Sequence, residues 1–132
     1  MLWYLAMPVK ALADETLAGN LAACAKVWRA LLNAGIRVTA PHCGLCQALD
    51  DTDPHERALG LSVGLTILAR CDGLILAGPR LSTGMQREHE VAVLGKLAVV
   101  NAVGIDTDAL VEAVNVTECV AELETVTTKI PI

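Results

Sequence analysis

A chain of 132 residues with a net charge of −5 has the size of one domain, and its scattered Lys and Arg argue against a nucleic-acid groove. Hydrophobic residues make up 54% of it while Phe is absent and aromatics reach only 2%, so the core is expected to be aliphatic and part of the apolar surface to be covered in a homo-oligomer. No apolar run approaches the roughly 20 residues that span a bilayer, which excludes a membrane helix; the opening MLWYLAMPVKALA lacks a basic leader, and five cysteines without an export signal point to a reducing cytoplasm.

The predicted elements alternate between strand and helix. Residues 2–7 (LWYLAM) form a first strand closed by Pro8. An Ala/Leu-rich helix spans about 14–33, with Leu17, Leu21, Cys24, Val27, Trp28 and Leu31 at helical spacing and Gly35 as its stop. Residues 36–40 (IRVTA) give a short strand ended by Pro41. The stretch 41–51, PHCGLCQALDD, reads as a loop. Asp53-Pro54-His55-Glu56 combines an N-cap, a proline at the first helical position and a capping-box glutamate, announcing a helix to about Arg70. Residues 73–78 (GLILAG) suit a strand buried on both faces of a parallel sheet. A helix capped by Thr83 runs to Gly95, residues 97–101 (LAVVN) form a fourth strand, and 106–114 a short helix. The tail 115–132 fits helix followed by strand and is not placed.

This rhythm predicts one α/β domain over residues 1–132: a small open parallel sheet of four to five strands with helices on both faces, Rossmann- or flavodoxin-like. Ligands of such sheets bind at the carboxyl ends of the strands. That edge gathers Met7-Pro8, PHCGLCQALDD, residues 79–84 and those after Asn101.

The segment GPRLSTGMQRE (78–88) is the chemically richest. Ser82, Thr83 and Gly84 sit where a helix opens, and its free N–H groups and dipole favour an anion, with Arg80 and Arg87 adding charge. Glu88 shares a helix face with Met85, Gly84, Val91 and Ala92, the face that packs on the sheet. A carboxylate there either lines a cleft as nucleophile or general base, or is a boundary residue reaching water. Cys43 and Cys46 have the spacing of half a zinc site, but there is no second close pair. A thioredoxin-type redox pair would stand at a helix N-terminus directly after a strand and turn, whereas this pair follows Pro41-His42 in what reads as a loop. The two cysteines read as variation on a binding-site rim, with metal ligation by Cys43 and Cys46 as the alternative. Asp53 is accounted for as a cap; Asp51 suits a sugar hydroxyl, and Tyr4 suits stacking on a base or burial in the core. Asp72 is expected to satisfy loop backbone groups, and Cys24, Cys71 and Cys119 to fill apolar space.

Tyr4-Leu5-Ala6-Met7-Pro8 resembles the YLAGP first-strand signature of the nucleoside 2-deoxyribosyltransferase-like superfamily. Ser82-x-Gly84-x-x-x-Glu88, followed by Leu94-Gly95-Lys96, resembles its catalytic helix, above all in the branch that hydrolyses deoxynucleoside 5′-monophosphates. The stretches PH(x)nLDDTDP, Leu59-Gly60-Leu61 and Arg70-Cys71-Asp72 through Gly84-Met85 resemble uncharacterised bacterial and phage domains of that fold, which have the Pro-His and Leu-Asp-Asp without the two thiols. The resemblance covers roughly residues 2–101. It implies a small-molecule nucleoside or nucleotide as partner, a phosphate held at Ser82 and Gly84, attack by Glu88 on the anomeric carbon, and no cofactor. Tyr4, Pro8, His42, Asp51 and Arg80 complete the expected substrate contacts. Two positions depart from the family: Gly64 stands where the characterised enzymes have an aspartate that handles sugar or leaving base, and Met7 replaces a glycine. Asp51 or His42 is the expected substitute for that acid. Two non-enzymatic readings stand beside this one: a module that binds a nucleotide without turnover, and a structural oligomeric subunit with Glu88 in an interface ion pair.

Overall fold

Four short parallel strands form the sheet at the centre of the computed structural model, which describes residues 1–129, with side-chain surroundings through residue 124. Their order is β2 (Val38–Thr39), β1 (Trp3–Ala6), β3 (Gly73–Leu76), β4 (Ala98–Asn101). Helices α1 (Leu17–Asn33) and α5 (Thr107–Lys129) cover one face, and α3 (Pro54–Leu68) and α4 (Thr83–Leu94) the other, so the fold is α/β and Rossmann/flavodoxin-like, as expected.

The period-two alternation of a strand makes β1 the divider between two cores. Trp3 and Leu5 pack with Cys24, Leu31, Leu110 and Val114 beneath α1 and α5. Tyr4 and Ala6 pack with Leu68, Leu74, Leu76 and Met85 beneath α3 and α4. Every residue of β1 and β3 is buried, which is why both read as unbroken apolar runs. Each such Leu or Ile contributes about 1.5–3 kcal/mol over an exposed one. Register then fixes one close approach. Trp3 lies opposite Gly73, and a Cβ at Gly73 would stand 2.5 Å from the Trp3 ring. The indole N–H donates to Glu118 at 2.7 Å, tying β1 to α5.

The helix ends follow their capping chemistry, with shifts of a residue or more. Helix α1 starts at Leu17 rather than near residue 14, capped by Thr16, which accepts from the Gly19 N–H, and Gly35 takes the left-handed conformation (φ 83°) beyond its end. Asp53 caps α3 as expected, accepting from His55 and Glu56. Ser82 rather than Thr83 caps α4. The left-handed residue after α4 is Lys96 (φ 58°), not Gly95.

Two expectations on local structure give way. The stretch 41–48 is not a loop but helix α2 (Pro41–Ala48). Pro41 starts it at a position that needs no N–H donor, and Cys43 faces inward to anchor it. Helix α5 does not end near residue 114 but continues to Lys129. Leu110, Val114 and the Trp3–Glu118 bond hold its first half against the sheet. The last residues of the expected tail strand, 130–132, lie outside the described residues.

Candidate functional site

From β1 the chain crosses to β2 on one side, while β3 lies on the other side of β1 and leads on to β4. The strand order therefore reverses between β1 and β3, and such a switch point opens a crevice at the carboxyl ends of the strands. A cleft of about 220 Å³ lies there. Met7 and Val9 enter it from beyond the end of β1, Ser82 to Met85 with Arg87 and Glu88 from the start of α4, His42 from α2, and Asp51 from the turn before α3.

Glu88 stands in this cleft, half-buried on the inner face of α4. Burial raises its carboxyl, against a hydrogen bond from the Tyr4 hydroxyl that lowers it, to about 7. Tyr4 is raised in turn, first by burial and then by the adjacent Glu88 charge, so it stays a neutral donor. Tyr4 thus sits in the core and in the site at once: it is 2% exposed, yet its hydroxyl reaches the cleft wall. With a pKa near neutrality, Glu88 is ionised in a large fraction of molecules while being poorly solvated, the condition under which a carboxylate acts as nucleophile or base.

At the mouth of α4, the Ser82 oxygen accepts from the Met85 N–H at 3.2 Å, leaving its own hydroxyl proton free to donate. Gly84 beside it has room for a side chain, since a Cβ there would meet nothing closer than Ser82 Oγ at 3.9 Å. Protein packing therefore does not demand glycine at this position, and the open space faces the cleft. Arg80 lines the cleft but is engaged: its guanidinium donates to Glu15 at 2.7 Å and to the Lys10 carbonyl at 2.9 Å. That pairing holds Glu15 down at about 2 and raises Arg80. Its role is to pin the loop after β1 rather than to reach for a ligand.

His42 and Asp51 are brought together at the other end of the cleft. Burial lowers the pKa of His42 and keeps the ring neutral, against the opposing pull of Asp51 and with the help of Arg57. Pro8 is not part of the lining. It is buried against Gly78, where a Cβ would come within 2.9 Å of the proline ring. Cys43 and Cys46 do not form a half-site: Cys43 is disulfide-bonded to Cys24 on α1, and Cys46 is a free thiol. Cys24 is therefore a cross-link between α1 and α2 rather than a plain apolar filler. Cys71 is buried, as expected of a filler, whereas Cys119 is exposed. Among the described residues no cluster of three His, Cys, Asp or Glu side chains is placed to hold a metal ion. Asp72 does satisfy backbone, accepting from the Leu2 N–H at 2.7 Å.

Of the α3 wall, sequence reasoning singled out Gly64 alone, through the resemblance, and missed Arg57, Gly60 and Leu61. Arg57, Gly60, Leu61 and Gly64 share one helical stripe that faces the cleft. The signal was present: two glycines four apart inside a helix mark a close approach. At Gly64 that approach is to the site itself, since a Cβ would sit 3.2 Å from the Tyr4 hydroxyl. Lys10, Arg57 and Arg87 line the cleft against two carboxylates, Asp51 and Glu88, while the Arg80 charge is offset by Glu15, so the cleft of an acidic protein carries more cations than carboxylates.

The family model described as "Domain of unknown function (DUF7768)" matches residues 2–102, and the chain belongs to that family. No curated protein matches the chain.

Proposed function

We propose that this member of the DUF7768 family is a nucleoside- or nucleotide-processing N-glycosidase or deoxyribosyltransferase, with Glu88 attacking the anomeric carbon. One observation carries the reading: a half-buried carboxylate raised to about 7, paired with a tyrosine hydroxyl, facing a cationic cleft at the switch point of the sheet. The resemblance of YLAMP and of Ser82-x-Gly84-x-x-x-Glu88 to the deoxyribosyltransferase-like superfamily supports the same chemistry.

In this mechanism the free N–H groups at the α4 N-terminus, the Ser82 hydroxyl and Arg87 hold a phosphate or sugar hydroxyl. The ionised Glu88 forms a C–O bond to the anomeric carbon as the glycosidic C–N bond breaks. The electron pair leaves on the base, which takes a proton from the imidazolium form of His42, the form that the Asp51 charge favours against burial. Water, or a second base, then attacks the same carbon, returns a proton to His42 and frees Glu88 as a carboxylate. Tyr4 holds Glu88 in place and favours its charged form. The same reading takes the protein as a homo-oligomer of the cytoplasm, where a disulfide such as Cys24–Cys43 is uncommon and subject to reduction. Leu59 and Val63, one turn apart and exposed on the outer side of α3, are suited to cover by a second copy.

The test is release of free base from a panel of nucleosides, 2′-deoxynucleoside 5′-monophosphates and NAD. Release by the wild type and its loss in Glu88→Gln supports the mechanism; equal release by both proteins removes it. Reduced release in Asp51→Asn or His42→Ala assigns the leaving-group proton to that end of the cleft, and normal turnover by both variants removes that assignment.

A second reading, a binding module without turnover, is favoured by Gly64. No acid projects from α3 at that position, and a side chain there would press on Tyr4. It predicts thermal stabilisation by an intact nucleotide that is afterwards recovered unchanged.

A further inference from the structure

The proposed chemistry uses none of the five cysteines, and three of them are carried by α1 and α2. Cys24 and Cys43 are joined, and both are buried, at 1% and 8% exposure, where a thiol from solution has no approach. Cys46 is a free thiol, half-buried, and three residues beyond Cys43 on α2, the spacing at which helical side chains meet. Its sulfur lies 4.0 Å from Nε2 of His42 and borders a small surface cleft next to Leu45 and Leu49. A buried disulfide thus has one neighbouring thiol that solvent can reach, with a base beside it.

We infer that Cys24, Cys43 and Cys46 form a thiol–disulfide relay, in which Cys46 opens the buried bond and presents it to an external dithiol. His42 takes the proton from the Cys46 thiol, and the thiolate attacks the Cys43 sulfur. The Cys43–Cys46 bond forms as the Cys24–Cys43 bond breaks, and the electron pair leaves on the Cys24 sulfur, which takes up a proton. No net oxidation occurs in this step. An external dithiol then attacks Cys46, forms a mixed disulfide and closes on itself. Two electrons pass to the protein, leaving Cys43 and Cys46 as thiols and the dithiol as its cyclic disulfide. The base is needed because burial, and then Asp51, push the Cys46 thiol up, while burial keeps His42 neutral and able to accept. Opening the bond unties α2, which carries His42 into the cleft, from α1. The relay stands or falls independently of the nucleotide chemistry.

The experiment treats folded protein with dithiothreitol, quenches samples over time with N-ethylmaleimide, and maps linkages by peptide mass spectrometry. Wild type is compared with Cys46→Ser and Cys46→Ala, each checked for fold by circular dichroism. The relay predicts that wild type loses the Cys24–Cys43 bond about tenfold faster than either variant, the advantage of an intramolecular attack. It also predicts early molecules with Cys24 alkylated and Cys43 linked to Cys46. Equal rates in all three proteins overturn it, as does complete alkylation of Cys24 and Cys43 before any reductant is added.

Discussion

Glu88 folds into a place where water would hold its charge better, and that has a measurable consequence. Its pKa in the folded protein, about 7, lies above the ordinary value of 4.5, so the native state favours the protonated form. The stability this contributes is fully present below pH 4.5 and is lost as pH rises through 7. Glutamine mimics the protonated acid and escapes the loss. Glu88→Gln is therefore expected to be more stable than wild type by roughly 3 kcal/mol at pH 8, narrowing to a few tenths near pH 4.5. Urea unfolding at both pH values checks this, and a difference that does not change with pH contradicts it. Tyr4 acts in the opposite sense, since its hydrogen bond lowers the Glu88 pKa. Base release that requires ionised Glu88 rises with pH through about 7 in wild type, and in Tyr4→Phe the midpoint moves upward. A midpoint that stays or falls removes Tyr4 from that role.

At the scale of elements, the sheet depends on one missing side chain. Trp3 is fully buried and its ring is fixed by Glu118, so Gly73→Ala places a methyl group against a ring with nowhere to go. The expected cost is about 1–3 kcal/mol, toward the upper end because backbone register sets the contact. Chemical denaturation giving less than half a kcal/mol means that the ring finds another position. The elements themselves were largely legible because their signals are local. Unbroken apolar runs mark β1 and β3, period-3.6 patterning marks α1, and Asp53-Pro54 marks the start of α3. Helix α2 was hidden because Pro41 and Gly44 read as breakers, whereas proline suits a first helical position and the Gly44 cost is offset by burying Cys43. The Cys24–Cys43 bond was hidden for another reason. Only the packing of α2 against α1 brings the two together, and Cys43 has a nearer partner in sequence that draws the eye. Glu88 was legible because it breaks an apolar face; Pro8 was misjudged because a proline at a strand end serves packing as well as binding.

For the whole molecule, topology and charge converge on one edge. The reversal of strand order between β1 and β3 opens the cleft, and the chain, at net charge −5, gathers Lys10, Arg57 and Arg87 around it. Among the described residues no helix is long and apolar enough to cross a membrane. In the proposed function such a cleft attracts an anionic small molecule and Glu88 acts on it. The most direct test is intact and peptide mass spectrometry of the protein quenched in acid during incubation with 2′-deoxynucleoside 5′-monophosphates. The account predicts added mass equal to one deoxyribose phosphate on the peptide containing Glu88, accompanied by free base and absent from Glu88→Gln. A nucleotide that binds, protects the protein against heat and is recovered whole, with no adduct and no base, contradicts it.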